Sequence, residues 1–408
     1  MVEEDIYTEY DIPQDMRLSV VSLRNVEMTN PSLAAEMSSD PPAIRNLVEG
    51  YDAALSLGIS KEYVERRGID ELKALREIVQ NALDEAEAVL GRPDIDLRQD
   101  ELGLWVADKG RGLPVEALSM GSSDKACWMR GYYGEGLKLA AGYFALRGLP
   151  VYAIAKGKIF KFTFVPKESE NPKLHAVLGR SSMRNPGTEV LVHGLRVEAT
   201  ILDRLISFRN KELQEKKIAE VLTESEDCPH LKPSTIYDHP DMLYIRNMYL
   251  GESSEVAKRR SLFSYDLWWF RLDVSRTLST YSVPSLFREA SKVFERSPRA
   301  LQMYAEKLVE TGMVRVERGQ DGTMIRLNPA FGIFEGHMFI YAIPEGLLHA
   351  ILSALSLGDM EKVVGLTSSM DEAEKGMKRG FLPLVVSDEV ANYFKNVPRL
   401  QNLLEQDR

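Results

Sequence analysis

The chain has 408 residues, 44% hydrophobic and 27% charged, the make-up of an ordinary globular protein long enough for two or three domains. A net charge of −10 excludes a general attraction to nucleic acid or anionic membrane, so any basic patch has to be argued residue by residue. Two cysteines, Cys127 and Cys228, make neither a disulfide framework nor a metal-ligand spacing, and the polar start MVEEDIYTEYDIPQ is not a signal peptide; the expected location is the cytoplasm.

Residues 1–40 read as an extended arm with one strand-like run, Leu18–Leu23, before the punctuation at Pro41 and Pro42. Helical patterning is expected from Ala43 to Leu90 and contains the first chemical signal, REIVQNALDEAEAVL. Glu77, Asn81 and Asp84 are spaced four and three apart and form one polar stripe, while Ile78, Val79, Ala82, Leu83 and Ala86 fill the opposite arc. Taken alone, the stripe reads as a solvated face.

A strand is expected over Leu102–Ala107, followed at once by Asp108-Lys109-Gly110-Arg111-Gly112. A carboxylate at a strand end with two alternate glycines suits a ligand pressed against bare backbone, although D-x-G-x-G is also common in turns. Next comes Gly131-Tyr132-Tyr133-Gly134-Glu135-Gly136-Leu137-Lys138, opening a helix that runs to Leu146. Glycines there let backbone N–H groups face an anion, and the helix start adds the positive end of its dipole. A P-loop is excluded, because Leu137 stands where it needs Lys and Leu139 where it needs Ser or Thr. A dinucleotide fingerprint fails at Leu139 too. Strand-like runs follow at Val151–Val165 and at Glu189–His193, the latter entered through Asn185-Pro186-Gly187-Thr188.

Beyond residue 200 charged helical patterning covers Ile201–Glu224, strands are expected at Met242–Leu250 and Leu262–Val274, and helices at Pro284–Arg296 and Pro298–Thr311. A hairpin with Asp321-Gly322 at its turn comes next, and short strands at Phe339–Ala342 and Leu382–Val386 alternate with helices to the end. The most apolar stretch, Leu347–Leu357, is too short to cross a bilayer. Helix and strand mix without regular β-α-β alternation, which predicts an α+β fold. The expected divisions are an arm at 1–40, a first domain at 41–200, a middle domain at 201–335 and a small C-terminal α/β part at 336–408.

In this order the four signals resemble the GHKL superfamily, which includes gyrase-type topoisomerases, large heat-shock chaperones, MutL proteins, histidine kinases and MORC ATPases. Glu77, Asn81 and Asp84 match its N-box; Asp108, Gly110 and Gly112 its adenine box; Gly131, Gly134 and Gly136 its second glycine box; and Thr188 its closing strand. The stretch from Gly121 through Lys125 to Lys138 looks most like the MORC lid, and the resemblance spans roughly residues 40–200. It implies a Bergerat-type two-layer α/β sandwich that binds ATP and Mg²⁺. Asn81 would give its amide oxygen to the metal, Glu77 would deprotonate the attacking water, and Asp108, supported by Thr188, would accept from the adenine amino group. Lys125 and Lys138 are the implied phosphate contacts, and Arg276 of the middle domain is the γ-phosphate candidate.

Slow hydrolysis driving lid closure over Leu118–Tyr133, in a nucleotide-dependent homodimer paired through the arm, is the leading expectation: an ATP-gated clamp or chaperone-like machine. A histidine kinase is excluded because no histidine precedes His175. An ATP-dependent phosphotransferase acting on a hydroxyl stays open. So does a nucleic-acid-stimulated ATPase, since residues 284–328 read as a winged helix with Arg299, Arg315, Arg318 and Arg326, or simply as a structural helix pair under a hairpin.

Overall fold

The computed structural model describes residues 3–23, 31–118, 135–165, 171–222, 232–268, 283–319, 322–327, 335, 346–357, 363–378 and 382–386. It is a mixed α/β structure whose strand pairs are mostly antiparallel, and the chain divides into two compact units, Met1–Leu202 and Asp203–Arg408.

The first unit is built on eight strands: β1 (Val20–Ser22), β2 (Val48–Ser60), β3 (Ile95–Asp100), β4 (Gly103–Asp108), β5 (Val151–Ala155), β6 (Lys158–Val165), β7 (Lys173–Ser181) and β8 (Thr188–His193). They lie in the order β1-β2-β7-β6-β5-β8-β4-β3, each antiparallel to its neighbours. Its helices are α1 (Glu3–Glu9), α2 (Pro31–Ser38), α3 (Pro42–Arg45), α4 (Lys61–Arg66), α5 (Glu71–Leu90) and α6 (Gly136–Ala145).

The long helix α5 has clear ends. Asp70 caps it by accepting from the Lys73 N–H, and Gly91 closes it in the left-handed conformation at φ 69°. Helix α6 seats at Gly142, where a side chain would press on Val64 of α4 and reach Phe164 of β6 and Leu174 of β7.

The opposite face of the sheet is covered by the N-terminal residues. Leu33 of α2 packs with Ala54, Val165 and Val177, and Ile44 of α3 packs with Trp105, Tyr152, Ile154, Ile159 and Leu191. Beneath them Asp40 receives the hydroxyls of Tyr51 (2.6 Å) and Tyr152 (2.8 Å) and pairs with Lys161 at 2.7 Å. Lys161 also donates to the Glu36 carbonyl, and Thr163 to the Glu36 carboxylate at 3.0 Å.

Residues 3–23 and 31–40 therefore differ from an extended arm. Ile6 and Tyr10, one helical turn apart, are buried together with Ile12 and Met16, and Tyr10 donates to Asp52 at 2.7 Å. Within the stretch expected to be helical, β2 intervenes for 13 residues, held by β1 on one side and β7 on the other. Its core segment Ala53-Ala54-Leu55-Ser56-Leu57 has no strand preference of its own, so pairing on both sides overrides propensity. The run Val151–Val165 is a hairpin rather than one strand, turning at Lys156 and Gly157, both with positive φ (51° and 78°).

In the second unit, β9 (Lys217–Val221), β10 (Ser234–Tyr237), β11 (Met242–Ile245), β12 (Met248–Glu252) and β13 (Ser264–Leu267) form a sheet ordered β12-β11-β13-β10-β9. Strands β11 and β12 join through Arg246 and Asn247, whose φ values of 52° and 68° make the left-handed hairpin turn. Helices α7 (Val283–Glu295) and α8 (Pro298–Glu310) lead into the hairpin β14 (Val314–Gly319) and β15 (Gly322–Leu327). Helix α9 (Leu347–Ala354), β16 (Val363–Thr367), α10 (Met370–Lys378) and β17 (Leu382–Val385) complete the unit.

Strand β15 pairs in parallel with β17, and Phe287, Phe294, Leu301 and Tyr304 share one core with Tyr265, Ile325, Ile351 and Leu384. Described residues on both sides of position 335, among them Ile325, Ile351 and Leu384, thus share one core. The expected strand Phe339–Ala342 lies outside the described residues.

Candidate functional site

The two strands that carry Asp108 and Thr188 are neighbours in the sheet, with Ala107 opposite Glu189. Asp108 ends β4, and its Oδ1 accepts from the Gly110 N–H at 2.7 Å and from the Thr188 N–H at 3.2 Å. One carboxylate oxygen therefore gathers the loop after β4 and the start of β8. Gly187 is required by this closeness, since a Cβ there would collide with the Asp108 backbone and carboxylate. Gly110 lies against Glu85 of α5 in the same way, which brings the loop onto the helix that carries the N-box residues. Gly112, at φ 90°, is crossed by the stem of Lys156. For these glycines the demand for bare backbone comes from the protein's own packing.

The polar stripe of α5 is not a solvated face. Glu77 is 8% exposed and Asp84 fully buried, while Asn81 is half-buried. Asn81 Nδ2 donates to the Glu77 carbonyl at 2.9 Å, a bond that uses the amide nitrogen and presents the amide oxygen as the acceptor end. Arg76, Gln80 and Glu87 are buried as well. The sequence carries one signal for these three: 76, 80, 84 and 87 repeat at helical spacing beside the Glu77–Asn81–Asp84 stripe.

Gly136 begins α6, and Lys138 in its first turn is 1% exposed, with Nζ donating to the Ala117 carbonyl at 3.0 Å. Burial lowers its ammonium pKa to about 8, against the opposing pull of Glu135. Glu135, next to α6, is held by Arg67 at 3.1 Å and Tyr63 at 3.3 Å. Lys125, Gly131 and Gly134, the lid after Leu118 with Tyr132 and Tyr133, and Arg276 lie outside the described residues.

Among the described residues no group of three or more His, Cys, Asp or Glu is placed to hold a metal ion. No helix of the described residues is long and apolar enough to cross a membrane.

In the second unit, the outward face of α8 carries Gln302, Glu306 and Glu310, and Gln302 is bonded to Glu306 at 3.0 Å. Arg315 donates to the Gly312 carbonyl, and Arg326 pairs with Glu317 at 3.3 Å. Arg299 and Arg318, the other two arginines of this helix pair and hairpin, are exposed. Comparison with protein-family models finds no match, and the search of curated proteins finds none either.

Proposed function

We propose that the first unit is an ATP-binding domain of the GHKL type, a Bergerat-like sandwich, and that the protein hydrolyses ATP slowly with Mg²⁺ to drive a conformational cycle in the manner of an ATP-gated clamp. The observation that carries this reading is the Asp108 carboxylate, bonded to Gly110 two residues on and to Thr188 eighty residues on. Residues singled out by motif from two separate stretches meet at one strand end, beside the helix that carries Glu77 and Asn81. A carboxylate oxygen accepts more than one hydrogen bond, so the Asp108 side chain both organises the loop and receives the exocyclic amino group of adenine. Guanine, with a carbonyl at that position, would face the carboxylate acceptor to acceptor.

Glu77 lies one turn before Asn81, and its carboxylate takes the proton of the attacking water. A magnesium ion held by the Asn81 oxygen and the nucleotide would neutralise phosphate charge. Buried Lys138 and the start of α6 supply positive potential to the same region.

Calorimetry and phosphate release test the assignment together. Asn81→Ala should abolish Mg-ATP binding, whereas Glu77→Ala should bind ATP and lose at least ~10²-fold in turnover. Unchanged hydrolysis in Glu77→Ala would remove the base from its role, and unchanged ATP affinity in Asn81→Ala would remove the site. Light scattering with a non-hydrolysable ATP analogue tests the nucleotide-dependent homodimer, which a constant mass would rule out.

A further inference from the structure

Where the chain turns around one end of the first sheet, cations outnumber carboxylates. Ile95 at the start of β3 faces Asp108 at the end of β4, and Ala155 at the end of β5 faces Thr188 at the start of β8. Arg92, Lys109, Arg184 and Lys156 therefore all leave the sheet at this end, and all four are exposed. Arg92 (3.1 Å) and Lys109 (3.7 Å) share a single carboxylate, Asp94. Lys156 and Arg184 have no ion-pair partner among the described residues. The two are neighbours: the Lys156 N–H donates to the carbonyl of Asn185, next to Arg184, and the Arg184 stem approaches Gly157.

The row crosses β3, β4, β8 and β5, three strand spacings or about 14 Å. Lys156 also sits at a left-handed turn position, φ 51°, where Asn or Gly would be comfortable and a lysine costs about 1 kcal/mol. A residue kept there against backbone preference suggests a use for its charge.

We propose that this rim is a docking surface for the phosphate backbone of a nucleic acid, with Lys156 and Arg184 as its principal contacts. The partner's charge follows from a local excess of exposed cations in a chain of net charge −10, and its linear form from a row that follows the sheet edge. Four point charges along a line read phosphates rather than bases, so binding is independent of sequence. The exposed apolar residues Val89 and Leu90 precede Arg92 at one extremity only, which leaves the Lys156–Arg184 end purely ionic and favours nucleic acid over a membrane.

The proposal goes beyond nucleotide binding, and its test needs no nucleotide. Fluorescence anisotropy of a labelled 20-nucleotide single strand and of a 20-base-pair duplex is followed in rising salt, for the full chain and for Lys156→Glu/Arg184→Glu. The expected result is binding of at least one probe, with log affinity falling by about three to four per log unit of salt. The variant should lose at least tenfold at low salt, with the slope reduced by about two. A control at the other end of the sheet, Lys61→Glu/Arg66→Glu, should stay within about twofold. Binding of neither probe, equal losses in variant and control, or binding to phosphatidylserine vesicles without binding to oligonucleotides would each overturn the assignment. Because both substituted residues are exposed, circular dichroism that matches the parent separates lost contact from lost fold.

Discussion

Lys161 Nζ lies 2.7 Å from Asp40 Oδ1, and the two side chains are 2% and 3% exposed. Burial and the neighbouring Asp40 push the hydroxyls of Tyr51 and Tyr152 up from their ordinary pKa, so both stay protonated and donate to the carboxylate. Removing one member of such a pair strands the other charge away from water. Lys161→Met should therefore destabilise the protein by about 3–5 kcal/mol in urea unfolding. Asp40→Asn/Lys161→Met, with both charges gone, should lose less than Lys161→Met alone. A loss under about 1 kcal/mol for the single variant would show a solvated pair instead.

Asp108→Asn separates architecture from recognition. The amide oxygen can take the place of Oδ1 and keep the Gly110 and Thr188 bonds, while the amide nitrogen faces the ligand as a donor. Stability should change by less than about 1 kcal/mol, and ATP affinity should fall at least ~10-fold with relaxed discrimination against GTP. Gly187→Ala should lose both stability and affinity, because its methyl group has no room beside Asp108. Calorimetry with both nucleotides decides. Full ATP affinity in Asp108→Asn would place the base elsewhere.

Lys138 makes stability depend on alkaline pH. Its folded pKa of about 8 lies below the ordinary 10.5, so between these values the folded chain holds fewer protons than the unfolded one. The contribution of this residue is present above the ordinary value and is lost as pH falls through about 8. Relative to Lys138→Met, the parent should gain stability between pH 8 and 10 in urea titrations. A difference between the two that is constant across this window would show an ordinary, solvated lysine.

Glu335 has the opposite dependence. The side chain is fully buried, and it accepts from the backbone of Leu262 (3.0 Å), the hydroxyl of Tyr265 (2.7 Å) and Ser261. Desolvation raises its pKa in spite of these donors. Its contribution is complete below the ordinary carboxyl value and is lost as pH rises through the higher folded value. Glu335→Gln cannot titrate, so the stability difference between variant and parent should change across that acid range. A pH-independent difference would contradict the assignment.

How much of this could be read from residues alone varied with the kind of signal. Helix α6 starts at Gly136 as the glycine-rich run predicts, and α8 begins at Pro298 behind a Ser297 cap, because local punctuation marks both. Strand β2 was illegible, since Ala53–Leu57 becomes a strand only through partners on two sides. The α5 stripe showed which residues share a face; only the packed structure shows that Glu77 and Asp84 are buried. Lys156 is illegible in the sequence, because a lysine followed by glycine carries no motif. Its importance depends on which strand ends lie side by side.

The N-terminal cover imposes an order on synthesis. Asp40 and Tyr152 are 112 residues apart in the chain but share a hydrogen bond. At about 5–20 residues per second, roughly 6–22 s pass between the appearance of Asp40 at the ribosome and that of its partner. Throughout that interval Leu33 lacks Val165 and Val177, Ile44 lacks Ile154 and Ile159, and β2 lacks β7. Residues 31–60 must wait with these apolar faces uncovered until β7 emerges, and a chaperone that shields them in that interval would favour folding.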